Sequence, residues 1–120
     1  MPTLIDKPHT IEATTNKTIL IDEYIGKLRT GHDQVSIAFL QCPPGWIEPG
    51  QTPTFEEYTL VLKGTVRITH RGGTLDVHAG QTVITHAGEW VQYSTPETEG
   101  AEYVAVCIPA FSMEAAHRDL

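Results

Sequence analysis

The 120-residue chain reads as all-β, an antiparallel sandwich or barrel. Two observations carry that reading. Six or more short runs of strand character recur at short spacing, with glycine at nearly every turn between them. No amphipathic helix is long enough to cover a sheet, so a parallel βαβ arrangement lacks its crossovers. The length suits one domain around a single core, with no linker inside it.

Residues 1–16 are polar, carry Pro2 and Pro8, and show neither helical nor strand period, so they are expected to form an extended arm, with the domain proper spanning 17–120. Residues 18–22 suit a short edge strand, and Asp22 a cap for one helical turn through Tyr24 that Gly26 stops. Residues 35–42 alternate large and small side chains, as a strand with two unequal faces does, and Pro43-Pro44-Gly45 ends them. The runs 58–62 and 65–70 are two further strands with Gly64 as the turn between them, and Arg71-Gly72-Gly73 makes a hairpin into 74–77. Strands at 82–85, 91–94 and 102–108 follow, and Pro109 stops the last. Residues 112–117 read as a capped helical turn.

Charge narrows the partners. Eight Lys and Arg against fifteen Asp and Glu give a formal charge of -7, which repels a nucleic-acid backbone or an anionic membrane. No apolar run approaches the ~20 residues that span a bilayer, and the polar first ten residues lack the apolar core of a secretory signal. A cytoplasmic address is the resulting expectation. Cys42 and Cys107 allow at most one bridge and form no CxxC pattern, so two buried thiols are expected.

The chemistry concentrates in residues 45–64. There Glu57 stands directly against the apolar run 58–62, a position costly for a carboxylate unless it is used or partnered. Gly45, Glu57 and Gly64 fall in the register of the first cupin motif, with Gln51 and Pro53 where its two histidines stand. Gly80 and Gly88 fit the second motif, with His86 at its proline position, Val91 at its histidine and Thr95 at its asparagine. Over residues 35–109 the chain thus resembles the cupin family. The resemblance implies an antiparallel jelly-roll barrel, here with a short N-terminal arm and a C-terminal helical turn. It also implies a divalent ion held by three imidazoles and one carboxylate. Of that set only Glu57 remains; Gln51 offers one neutral oxygen, while Pro53 and Val91 offer no ligand. No metal cofactor is therefore expected, with Gln51 and Glu57 the ligands if one binds.

In the register the resemblance implies, Glu57, Thr59 and Val61 face the barrel interior and Glu56 and Tyr58 face out. Desolvation then raises the Glu57 pKa and poises it as an acid or base near neutrality. Tyr93, two residues after Val91, shares the inward face of its strand, and His86 lies in a turn at the barrel mouth. Glu57, Tyr93 and His86 form the expected catalytic set. Gln51, Thr59, Trp46 and Trp90 are the expected ligand contacts. His9, His32, His70, His78 and His117 read as surface groups. Three readings remain open: a metal-independent lyase, isomerase or dehydratase acting on a small molecule in the barrel; a ligand-binding or sensing module without chemistry; and an oxygenase whose metal is held by Gln51, Glu57, His86 and water. A homodimer that covers the sheet edges is expected.

Overall fold

A computed structural model describes residues 1–120. Eight strands and one short helix follow one another: β1 (His9–Thr14), β2 (Thr18–Ile25), β3 (Ser36–Cys42), β4 (Glu56–His70), β5 (Gly73–His78), β6 (Thr82–Thr85), β7 (Val91–Ser94), β8 (Ala101–Ile108) and α1 (Met113–Ala116). All strand pairs are antiparallel. The N-terminal half of β4 lies between β8 and β6, giving a larger sheet in the order β1-β2-β3-β8-β4-β6. Its C-terminal half lies between β5 and β7 in a smaller sheet. The two sheets share β4 and face each other as an antiparallel jelly roll.

Gly64 is a bend inside one long strand and not a turn between two. Its φ of 76° lies in the left-handed region, and a Cβ there would collide with the Gly100 carbonyl oxygen. A register shift at 61–63 accompanies the bend and carries β4 from one sheet into the other. The arm also differs from its expectation, since β1 pairs with β2 along its whole length. Only Ile11 and Ala13 of β1 are even partly buried, so the strand is polar enough to hide its period. Side-chain bonds at 2.7 Å (Thr10 to Asp22) and 2.8 Å (Thr14 with Thr18) reinforce it.

Residues 22–24 remain strand, and Asp22 caps no helix. The turn begins instead beyond Gly26, where buried Glu23 accepts from the Leu28 and Arg29 amides at 3.0 and 2.8 Å. The core lies between the sheets. Strand β8 alternates buried and half-buried residues with strict period two, and Trp46, Val61, Val66, Ile68, Tyr93 and Tyr103 fill the interior. A smaller cluster of Phe55, Cys107 and Ala116 closes one end, with Phe111 edge-on to Phe55. Ser112 caps α1 by accepting from the Ala115 amide at 3.0 Å. Residues 115–119 then run back along 50–54, joined by Thr54 N to Ala115 O, Thr52 N to His117 O and Asp119 N to Gly50 O.

Candidate functional site

Period-two alternation along β4 turns Glu57, Thr59 and Val61 inward, all of them buried. The Glu57 carboxylate accepts one long bond there, 3.4 Å from Thr59 Oγ1. Cys107 stands across from it on β8 and Thr85 across from it on β6. The Thr85 hydroxyl is 2.8 Å from the Tyr93 hydroxyl, so Glu57, Thr59, Thr85 and Tyr93 line one stretch of interior wall. Burial pushes the Glu57 carboxyl up to about 7, eased only in part by Thr59 and Cys107. Tyr93 is raised well above the usual phenol range, by burial first and then by the Glu57 charge.

A second interior acid, Glu48, lies outside the set expected from sequence. Two residues along the extended segment from Trp46, it turns to the same side, and its side chain is 12% exposed. Burial drives its carboxyl up to about 8, against the opposing pull of Arg118 and with a further push from Glu57. Arg118 comes from the C-terminal segment, whose backbone bridges to Gln51, and its Nη2 lies 3.6 Å from Glu48 Oε2. Three buried polar atoms here have no partner: Trp46 Nε1, Gln51 Oε1 and Arg118 Nε. They sit on the 46–51 segment and on the C-terminal segment that pairs with it.

Of the residues expected from sequence, Glu57, Thr59, Tyr93, Gln51 and Trp46 are all buried inside. Trp90 is not. It lies over Gly50, donating its indole N–H to Asp119 at 2.9 Å, at the rim of a cleft of ≈ 520 Å³ between β6 and the smaller sheet. Ile68, Val83, Thr85 and Val91 wall that cleft. His86, expected in a turn at the barrel mouth, does not join the buried residues. Because Thr85 points in, the next residue points out, and the His86 imidazole pairs with outward Glu56 at 3.3 Å with 60% of its side chain exposed. Neither the cleft beside Trp90 nor the hollow of ≈ 470 Å³ beside Thr18, Gln41 and Glu102 is lined by Glu48 or Glu57.

The thiols are not nucleophiles. Burial, then the Glu48 charge, pushes Cys42 up to about 12, and burial, then Glu57, raises Cys107 further. Both are free. Two of the four positions of the motif's metal site, Gln51 and Val91, exchange backbone bonds at 2.9 Å. Their side chains do not fit the ion. All six histidines are exposed, and no three His, Cys, Asp or Glu side chains are grouped as a metal would need.

Residues 38–107 match the family model described as the cupin domain. The chain belongs to the cupin family. Solved cupin-like structures share its architecture: a variant of Bacillus subtilis oxalate decarboxylase superposes with a TM-score of 0.75 at 19% identity, over 98% of this chain and 33% of that one. The EutQ protein of Clostridium difficile gives 0.65 at 17%, over 79% and 71%. At these identities the likeness is one of fold. Among curated proteins, the endoribonuclease YbeY of Myxococcus xanthus is 36% identical over 99 residues, which are 82% of this chain. The chain spans about a third of that relative's length (34%). No helix of this cupin is long and apolar enough to cross a membrane.

Proposed function

We propose that this cupin binds a small organic molecule inside the barrel and moves a proton on it without a metal, as a lyase, isomerase or dehydratase. The carrying observation is Glu57: buried, held by one 3.4 Å hydroxyl bond, and pushed up to about 7. A carboxyl near half-ionisation at neutral pH both takes and returns a proton. Glu48, pushed up to about 8, carries its proton at pH 7. A base and an acid therefore face one interior. In the isomerisation of an α-hydroxy carbonyl compound, the Glu57 carboxylate removes the proton from the hydroxyl-bearing carbon and returns it to the former carbonyl carbon, while the hydroxyl proton passes to the former carbonyl oxygen. In a dehydration, Glu57 takes the carbon-bound proton while the Glu48 carboxyl protonates the departing hydroxyl, which leaves as water. Tyr93, kept neutral, donates a hydrogen bond to oxygen where charge develops, and Gln51, Thr59 and Trp46 orient the molecule. His86 takes no part.

The test combines titration with turnover. In protein labelled with ¹³C at the glutamate carboxyls, one resonance titrating near neutrality should vanish in Glu57→Gln. A mixture of small oxo- and hydroxy-compounds in D₂O should acquire deuterium at carbon with wild-type protein and not with the variant. A Glu57 that titrates in the ordinary carboxylate range, about 4.3, removes the reading. A bound compound that stays unlabelled and unchanged moves the protein to the class of ligand-binding modules, which the three unpartnered interior atoms serve equally well.

The proposal includes a cytoplasmic homodimer. Its support is the outer face of the larger sheet, where Ile84, Tyr58 and Val106 lie side by side in register, as do Leu60, Val104 and Phe39. Leu60, Leu62, Ile84 and Ile108 are 41–52% exposed there, a contiguous apolar face of the kind proteins cover by association.

A further inference from the structure

Arg118 is a charge with a quarter of its side chain exposed and one donor buried. Its Nε–H is buried without a partner. Its one carboxyl neighbour, Glu48, lies 3.6 Å away, beyond the ~2.7–2.9 Å of a charge-assisted hydrogen bond. It is also firmly placed. Three backbone bonds tie 115–119 to 50–54, the Trp90 indole holds neighbouring Asp119, and a backbone bridge sets Arg118 beside Gln51. Gln51 itself is 3% exposed, with its side-chain oxygen unpartnered. A positioned guanidinium with one unpartnered N–H, beside a buried and unpartnered acceptor, suits an anion that also carries a donor.

We infer that the ligand is a small hydroxy-carboxylic acid, its carboxylate seated on the Arg118 guanidinium and its hydroxyl donating to Gln51 Oε1. The inference rests on the proposal that the barrel interior is the binding site, and it names the class of molecule held there. Charge supports the geometry. Glu48 holds its proton at neutral pH, so it leaves the guanidinium uncompensated, and an incoming carboxylate would neutralise it. Arg also suits the task through its planar fork of donors, which matches two carboxylate oxygens.

The experiment is a ligand-observed NMR titration of the full chain with glycolate, lactate and malate, each against its neutral amide. The acids should bind at millimolar concentration or tighter, the amides at least tenfold more weakly, and the amide signals of Gln51 and Arg118 should shift. Arg118→Gln should lose tenfold or more for the acids and nothing for the amides, and Arg118→Lys should recover part of the loss. Equal binding of acids and amides to wild-type protein, or no binding of any acid, overturns the inference and needs no variant to fold. The two proposals fail separately. Acids that bind through Arg118 but never exchange deuterium refute proton transfer and keep this inference, while a neutral compound labelled in a Glu57-dependent way does the reverse.

Discussion

Replacing Glu57 by glutamine should change how stability depends on pH. In the unfolded chain the carboxyl ionises at 4.5, whereas in the fold it keeps its proton to about 7. Between those values the folded state binds more protons than the unfolded one, so stability falls as pH rises. The contribution is present in full below pH 4.5 and is gone above pH 7. At ~1.4 kcal/mol for each pH unit, the interval from 4.5 to about 7 amounts to about 3 kcal/mol. Glutamine keeps the shape and cannot ionise, so this slope should disappear. The variant should match wild type within about 1 kcal/mol at pH 5, where only the Thr59 contact changes, and exceed it by about 2–3 kcal/mol at pH 8. Glu48 adds a second falling slope, from 4.5 to about 8, so the variant's profile should flatten and not become level. Urea unfolding followed by the fluorescence of buried Trp46 at pH 5, 6, 7 and 8 measures this directly. Parallel profiles for the two proteins would show that Glu57 is ionised in the fold at pH 5 and would refute the reasoning that makes it an acid or base.

Other consequences are equally open to measurement. Gly64→Ala places a Cβ against the Gly100 carbonyl in a backbone conformation unfavourable to alanine. It should lower stability by about 2–4 kcal/mol, read as a fall in the urea midpoint, and an unchanged midpoint would mean the bend in β4 is not as described. Leu60→Glu on the outer face should convert a dimer into a 13.2 kDa monomer in sedimentation without loss of folded signal; a wild-type protein that already sediments as the monomer defeats the dimer proposal. Cys42 and Cys107 should resist a thiol reagent at pH 8 in native protein and both react in urea, since burial suppresses each thiolate. Fast labelling of either in native buffer would contradict the packing around Glu57.

Much of the fold was legible because its information is local. The alternation in residues 35–42 and 102–108 and the glycines at 73, 80 and 88 place strands and turns without reference to distant parts. The same local reading broke at Gly64, where the glycine serves a close approach to Gly100, thirty-six positions away in sequence, and at β1, whose solvent-facing strand carries only Ile11 and Ala13 as signal. The site divides the same way. Glu57, Thr59 and Tyr93 follow from strand period. Glu48 had one usable signal, its alternate spacing from Trp46 in a segment without regular structure. Arg118 had none, because the pairing of 115–119 with 50–54 leaves no local mark. His86 was drawn in by its motif position, while the simpler rule, that the neighbour of inward Thr85 points outward, places it with Glu56.

That division bears on how the interior should be understood. Where this cupin has only to be stable, it satisfies its polar groups: Arg67 and Asp76 pair through two bonds at 2.8 and 3.2 Å, and Glu23 accepts two amides. Beside Glu48 and Glu57 it does not. Two acids are held above their ordinary range and three polar atoms are buried unpaired, each unpaired atom costing on the order of 1–3 kcal/mol. Apolar residues of similar volume would remove that cost. The chain spends stability at one place, the place where the C-terminal segment brings the Arg118 cation to the Glu48 carboxyl. A molecule that supplies an anion to Arg118, a donor to Gln51 and a transferable proton to Glu57 would satisfy these three groups at once, which is why the binding and proton-transfer proposals call for one ligand.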